Sequence, residues 1–454
     1  MTTSERPREG SLEAPTRHAL DWRSEAFYDL DAIEKEMERV FDICHGCRRC
    51  FNLCESFPRL FDMVDESSTG ELDGVPKERY GEVVEACTLC DMCFMTKCPY
   101  VPPHEWALDF PHLMLRFRAA ELKKNNGKQP LSAQLAETDR NGAVGRLVAP
   151  LANFASARAN TLTRGLMEAA VGVARDAELP KYHANTFSHR AALEPPRVNE
   201  AGPARGRKAV LYATCFVDYN KPSTGAAAQA VLAHQGVETE VVYPACCGMP
   251  QLEHGDIAEV ANRAVKVADA MAPWIDAGYA VIALTASCGL MMKFEWPLIL
   301  PENENVRKLA AATRDICEYV VDIAKKEGLA PGLSPLAGGV SAHMACHARA
   351  QNMGQKSAEM LKLIPDTKVD VIERCSGHGG TFGVMKETRP LAVKVGRPAA
   401  KQVAQKHNQI VCSDCPLACK HLNQIVADEF ADVAGAQPNE AHPIEVFARA
   451  YGFV

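Results

Sequence analysis

Residues 44–54 read CHGCRRCFNLC, and residues 87–99 read CTLCDMCFMTKCP. Eight cysteines therefore fall in two tight runs, Cys44-x-x-Cys47-x-x-Cys50-x-x-x-Cys54 and Cys87-x-x-Cys90-x-x-Cys93-x-x-x-x-Cys98-Pro99. Three thiolates at this pitch reach three iron corners of a [4Fe–4S] cube. The fourth iron needs a thiolate from elsewhere, and in two-cluster proteins the last cysteine of each run serves the other cluster. The expected ligand sets are Cys44, Cys47, Cys50 and Cys98 for cluster 1, and Cys87, Cys90, Cys93 and Cys54 for cluster 2. Glu55 stands where the first run normally has proline, and four residues, Phe94 to Lys97, precede Cys98 instead of three. Each departure is expected to shift a loop without removing a ligand. Structural zinc is the competing reading, because Cys-x-x-Cys pairs also suit a tetrahedral ion, but zinc sites usually use two such pairs well apart.

The rest of the chain sets the context. Its 454 residues are 47% hydrophobic, enough for real cores, and its length suggests roughly two to four domains. A net charge of -7 argues against a nucleic-acid partner. Eighteen cysteines are many, yet the start, Met1 to Pro7, lacks the apolar core of a secretory leader. Reduced thiols in a cytoplasmic protein point to metal binding rather than disulfides. No stretch of roughly eighteen uncharged apolar residues exists, so no transmembrane helix is expected.

The organisation is that of an α+β multidomain protein. Residues 1–40 form a polar, then helical, segment, and residues 41–122 a helical ferredoxin-like domain for two [4Fe–4S] clusters. Residues 123–205 make a helical linker. Within it, Leu147 to Ala174 carries few charges, with Leu151, Phe154, Leu162, Leu166 and Val171 around Arg158 and Arg164. The expectation is that these apolar side chains pack against the protein's own domains. The alternative is a helix pair on a membrane surface or a partner subunit.

From residue 208 the pattern alternates strand and helix, which predicts parallel βαβ units. Lys208 to Cys215, Glu240 to Tyr243 and Tyr279 to Leu284 read as strands leading to Cys215, to Cys246-Cys247-Gly248 and to Ser287-Cys288-Gly289. The cycle repeats: Gly339 to Met344 leads to Cys346, Val369 to Ile372 to Cys375-Ser376-Gly377, and Gln409 to Val411 to Cys412-Ser413-Asp414-Cys415. Two related repeats are expected, 206–300 and 338–454 with a linker at 301–337, the second ending in a helix. Their cysteines should lie at strand ends, where open parallel sheets bind ligands.

At these residues the chain resembles the CCG-domain proteins. They include the B and D subunits of heterodisulfide reductase, the iron–sulfur subunit of glycolate oxidase and the C subunit of anaerobic glycerol-3-phosphate dehydrogenase. Stand-alone iron–sulfur oxidoreductases associated with rubrerythrins are similar too. The resemblance rests on Cys246-Cys247-Gly248, Cys346-His347-x-Arg349-Ala350-Gln351, Gly379-Gly380-Thr381-Phe382-Gly383 and His442-Pro443-Ile444-Glu445. Against the family's five-cysteine repeat, Cys215, Cys246, Cys247 and Cys288 match in the first repeat, with Met291 in the last place. Cys346, Cys375, Cys412 and Cys415 match in the second, where Ser376 replaces one of the pair. The resemblance implies a third iron–sulfur centre at the second set, and a cluster, a zinc ion or plain core at the first. Cys317 and Cys419 read as core. His254, His347 and His378 lie near cysteines and read as hydrogen-bonders that could tune a centre.

No P-loop, dinucleotide fingerprint or flavin motif stands out, so no flavin or NAD is expected in this chain. The function expected is electron transfer between the two ferredoxin-type clusters and a centre in the repeats. The resemblance implies a redox partner, either a flavoprotein dehydrogenase or a rubrerythrin-like protein. A disulfide-type reductase acting at the repeat site, or a zinc-binding structural protein, is the alternative. The expected place is the cytoplasm, with the inner face of the cytoplasmic membrane as the peripheral variant.

Overall fold

The computed structural model describes residues 15–129 and 131–453. The stretch Met1 to Pro7, read above for a leader, lies outside them. The chain divides into two compact units: the part up to Gln129 together with Gln251–Ile257, and Pro130–Pro250 together with Ala258–Val454.

The first unit is helical. Helix α1 (Leu30–Cys47) starts at Asp29, whose carboxylate accepts the Asp31 and Ala32 N–H groups at 3.1 and 3.2 Å. Its Ile33, Met37, Val40 and Phe41 recur at helical spacing and are buried. Helix α2 (Ser56–Asp65) follows Cys54 almost at once, and α3 (Tyr80–Glu85) leads into the second run. Helix α4 (Phe110–Lys124) closes the unit. Phe41 packs on Tyr80 and Phe110, and Phe57 on Phe110, with ring centroids 5.1, 6.0 and 4.7 Å apart. This aromatic core holds both cysteine-bearing loops against one scaffold.

The second unit opens with three short helices, α5 (Thr138–Leu147), α6 (Ala149–Ser156) and α7 (Thr161–Val171). Two four-stranded parallel sheets follow. The first holds β1 (Lys208–Tyr212), β2 (Glu238–Val242), β3 (Ala280–Ala283) and β4 (Thr313–Asp315), in the order β2-β1-β3-β4. The second holds β5 (Val340–His343), β6 (Val369–Ile372), β7 (Ile410–Ser413) and β8 (Asn439–Ala441), in the order β6-β5-β7-β8. The same order in both sheets is the architectural form of the repeat seen in sequence. Sequence patterning gives three strands per repeat. The fourth strands, β4 and β8, are three residues each, too short to carry a period of their own.

One boundary differs in a way that matters. The strand expected to stop at Val411 runs on to Ser413, so Cys412 lies within β7, paired with Ala342 on β5 and Ala441 on β8. The two repeats share one core, in which Leu211 and Ile282 of the first meet Val340, Cys412 and Phe447 of the second. The closing motif His442 to Glu445 is a capping box: the His442 N–H donates to Glu445 Oε2 at 2.7 Å, and Ile444 N–H donates to His442 Nδ1 at 3.3 Å. Glu445 also accepts from Ser223 (2.8 Å) and Thr224 (3.1 Å) and pairs with Lys221 (3.0 Å), clasping one repeat to the other.

Candidate iron–sulfur sites

Helix α1 carries Cys44 and Cys47 in its last turn. Arg48, in the left-handed region at φ 54°, ends it, its N–H bonded to the Cys44 carbonyl at 2.8 Å. The reversal brings Cys50 back, and Cys44, Cys47, Cys50 and Cys98 line one cavity walled by Phe57, Phe61 and Leu108. Its volume is about 290 Å³, counting the part open to solvent. Burial, then the neighbouring Cys98, Cys50 and Cys47, push the Cys44 thiol well above the ordinary range. Burial pushes Cys50 up to about 12. Cys44, Cys50 and Cys98, crowded in an apolar pocket, resist ionisation unless a metal charge compensates them, which is the condition a thiolate-held metal group satisfies.

The second set is gathered in the same manner. Burial and then Cys90, Cys87, Cys54 and Cys50 raise the Cys93 thiol well above its ordinary value. Cys98 from the second run thus stands with the first three, and Cys54 from the first run stands with the last three. Cys50 also neighbours Cys90, so the two sets adjoin. The extra residue before Cys98 is absorbed by a π turn, Cys93–Lys97, in which the Cys98 N–H reaches the Cys93 carbonyl at 2.9 Å.

Two arginines that sequence reasoning missed support this unit. Arg17 donates to both carboxylate oxygens of Asp91 (2.9 and 2.8 Å) and both of Asp109 (2.8 and 3.1 Å), and lies 4.4 Å from the Phe94 ring centroid. It ties the amino-terminal segment to the second run. Arg118 donates to the carbonyls of Val84 (2.6 Å) and Cys87 (2.5 Å), and its charge works against the burial that lifts Cys87 to about 11. Nothing in local spacing marks either arginine; only Asp91, inside the run, hints at a cationic partner.

In the first repeat, Cys215 opens the helical turn Cys215–Tyr219 after β1, Cys246 and Cys247 follow β2, and Cys288 sits in Ala286–Leu290 after β3. The structure brings all four together. The sulfurs of Cys215 and Cys246 are 3.6 Å apart, and those of Cys247 and Cys288 are 3.3 Å apart. Hydrogen bonding to Cys246, then burial, holds Cys215 well above the ordinary thiol range. Hydrogen bonding with Cys215 and Cys247 draws Cys246 well below it. Much of the shell around the quartet is polar and hydrogen-bonded. Tyr212 donates to the Ala245 carbonyl (2.6 Å) and Trp296 to the Cys247 carbonyl (3.1 Å). Asp139 on α5 accepts the Cys246 N–H (3.0 Å), the Tyr243 hydroxyl and Arg263 Nη1 (3.0 Å).

In the second repeat, Cys346 begins the turn Cys346–Ala350, Cys375 follows β6 and takes the Gly377 N–H at 3.3 Å, and Cys415 caps the helix Pro416–Glu429. These three are half-buried. Cys412 is placed differently: it is fully buried in the shared core, with Cys419 and Asp414 as its thiol and carboxyl neighbours. The register explains the asymmetry. Tyr212 lies opposite Ala283, and His343 opposite Ser413, three residues ahead of Cys215 and Cys346 respectively. On that frame Ile282 is the counterpart of Cys412, Thr285 of Cys415, and Ala418 of Cys288. Cys419 donates to the Val411 carbonyl (3.3 Å), and it and Cys317 are core residues.

Beside Cys317 lies a buried group that spacing could not reveal. Side-chain atoms of Asp315, Cys317 and Asp414 lie within 4.8 Å of one another. Burial lifts Asp414 to about 8 and Asp315 to about 6, so the carboxyl pair holds a proton near neutrality. Of the histidines flagged by position, His378 is buried, while His254 and His347 are half-buried. Burial holds His378 at about 3 and His421 at about 4, with ring centroids 6.0 Å apart. His254 is also lowered, by burial and then Arg118.

Comparison with known proteins agrees with this geometry. The cysteine-rich domain model CCG matches twice, at residues 209–293 and 340–422. The chain is 28% identical over 314 residues to the C subunit of the anaerobic glycerol-3-phosphate dehydrogenase of Escherichia coli (strain K12), covering 65% of this chain and 76% of that one. It is 31% identical over 192 residues to lactate utilization protein A of Geobacillus kaustophilus (strain HTA426), covering 39% of this chain and 74% of that one. A shorter match, 33% identical over 89 residues, links it to citrate utilization protein B of Escherichia coli, over 20% of this chain and 21% of that one. With two matched repeats, two sheets of one strand order and thiols gathered at the ends of β1, β2 and β3, the chain belongs to the CCG cysteine-rich-domain proteins and is an iron–sulfur protein of oxidoreductase type.

Proposed function

We propose that the chain is an electron-transfer protein, or the electron-transfer subunit of a dehydrogenase, using two [4Fe–4S] clusters in its first unit and a thiolate-held centre in its repeats. The main support is the interleaving of the two runs, with Cys98 beside Cys44, Cys47 and Cys50, and Cys54 beside Cys87, Cys90 and Cys93. Bound clusters supply one-electron storage at a potential set by ligands, burial and hydrogen bonds. The chain's part is to hold eight thiolates in two adjoining sets, to exclude water with Phe57, Phe61 and Leu108, and to fix the second run through Arg17 and Arg118. The names of the similar proteins, a dehydrogenase subunit and two utilization proteins, support a separate redox partner. We take it to be a flavoprotein dehydrogenase, with a rubrerythrin-like protein as the alternative.

In the second repeat the half-buried Cys346, Cys375 and Cys415 are the thiols offered to a centre, and the core position of Cys412 leaves the fourth ligand of that set open. In the first repeat a single zinc ion is the competing occupant. At a Zn–S bond of about 2.3 Å, tetrahedral thiolates stand ~3.8 Å apart, near the sulfur separations at Cys215–Cys246 and Cys247–Cys288. Metal and sulfide analysis with EPR of reduced, anaerobically purified protein tests both points. About eight irons with matching sulfide fit the first unit alone, and about twelve require a cluster in the repeats. Zinc without sulfide would overturn the electron-transfer reading.

A further inference from the structure

The apolar side chains of α5, α6 and α7 are not packed inside, as their sequence suggests. Nine of the sixteen large hydrophobic side chains that stand exposed among the described residues lie between Leu131 and Leu166. Val144, Leu147, Leu151 and Phe154 follow one another at three- and four-residue steps along α5 and α6, and Leu162 and Leu166 lie one turn apart on α7. Leu147 is 76% exposed, Leu162 74%, and Leu151 and Phe154 67% each. Scattered exposed leucines are ordinary, but a concentration of this kind marks an interaction surface.

The exposure is built in, because each helix is pinned on its other side. On α5, Gly142 and Gly145 lie directly against the rings of Tyr219 and Tyr182, where a Cβ would come within 2.1 and 2.6 Å of ring carbons. On α6, Asn153 donates to the Tyr182 carbonyl (2.9 Å) and accepts the Tyr182 N–H (2.8 Å). On α7, Arg164 is fully buried and donates to the carbonyls of Ala174 (2.6 Å) and Ala177 (2.7 Å). Such anchors fix which faces point outward.

We propose that this surface seats on an anionic lipid bilayer, with the helices lying in the plane of the interface. Charge selects that occupant. In a chain of net charge -7, the three helices and their joints (138–171) carry Arg140, Arg146 and Arg158 on the outside and Arg164 inside, against Asp139 and Glu168. Arg140, Arg146 and Arg158 are exposed beside the leucines, and of these Arg158 is paired with Asp428. Aliphatic side chains flanked by arginine suit the boundary between acyl chains and anionic headgroups. A protein-binding core would be richer in aromatic residues and methionine, and among the six side chains named only Phe154 is aromatic. The three helices have 10, 8 and 11 residues, and no helix among the described residues is long and apolar enough to cross a membrane.

Flotation of the full-length, iron-loaded protein with vesicles tests this directly. The protein should float with vesicles of mixed phosphatidylglycerol and phosphatidylcholine, less with pure phosphatidylcholine, and less again at high salt. The triple variant Leu151→Glu, Phe154→Glu, Leu162→Glu should lose partitioning about tenfold or more with its iron content unchanged. Arg140→Gln with Arg146→Gln should weaken binding to the anionic vesicles only. The proposal fails if the wild type stays in solution with both kinds of vesicle, or if the triple variant floats as well as the wild type. It fails equally if the wild type ignores vesicles but forms a dimer that the triple variant dissociates. Iron content and EPR report separately on the electron-transfer reading, so the two stand or fall independently.

Discussion

Arg17 shows how much can rest on one side chain. It bridges Asp91 and Asp109 in a place where its own side chain is 10% exposed. Arg17→Met would take this guanidinium from both carboxylates, leaving Asp109 with His112 at 3.3 Å, and breaking a buried pair in this way costs about 3–5 kcal/mol. The urea midpoint of the iron-loaded protein should fall accordingly, and Asp91→Asn in the same chain should recover part of the loss. The crossed ligand sets proposed above make a second prediction. Cys98→Ser and Cys44→Ser address one cluster, so each single variant and the double should lose about four irons. Cys98→Ser with Cys87→Ser addresses two, so about eight should be lost. Iron analysis of the four proteins checks the assignment, and equal losses in both doubles would refute it.

At the scale of elements, the π turn Cys93–Lys97 lets a run with an extra residue present Cys98 to the first set. The hairpin of α6 and α7 depends on a different device. Arg164 reaches the carbonyls of Ser156, Ala174, Arg175 and Ala177 from within the fold. Arg164→Met keeps the apolar stem and strands those acceptors, at a cost of about 2–3 kcal/mol. Hydrogen exchange should rise across residues 156–177 while the cysteine loops of the first unit stay protected. Uniform protection would show that the carbonyls find water without penalty.

At the scale of the molecule, the junction between repeats carries a pH signature. Asp414 and Asp315 have folded values of about 8 and 6 against an ordinary 3.8, because burial disfavours their charged forms. The folded protein therefore keeps protons that the unfolded chain releases above pH ~4. Their contribution is fully present below that pH and is lost as pH rises towards 8, with a slope of at most about 1.4 kcal/mol per pH unit for one proton. Buried neutral histidines such as His378 and His421 pull the other way, so the carboxyl pair is isolated by difference: thermal unfolding should show Asp414→Asn gaining stability relative to the wild type at pH 8 compared with pH 5. An Asp414→Asn effect that is the same at both pH values would contradict the assignment.

The sequence alone determined what depends on spacing along the chain. The three-residue pitch of the two runs named their chemistry, and the alternation after residue 208 gave two repeats of parallel strands, later seen as β2-β1-β3-β4 and β6-β5-β7-β8. Such features are local, because a ligand loop or a strand carries its period in consecutive residues. Tertiary structure decided everything that depends on which residues meet from afar. It put Cys412 inside β7, paired Asp315 of one repeat with Asp414 of the other, and sent Arg17 to the second run. It also left Leu147, Leu151 and Leu162 uncovered, although their helical spacing is that of buried residues. A periodic stripe says that a helix has an apolar face; only the packing of the other elements decides whether anything in the same chain covers it.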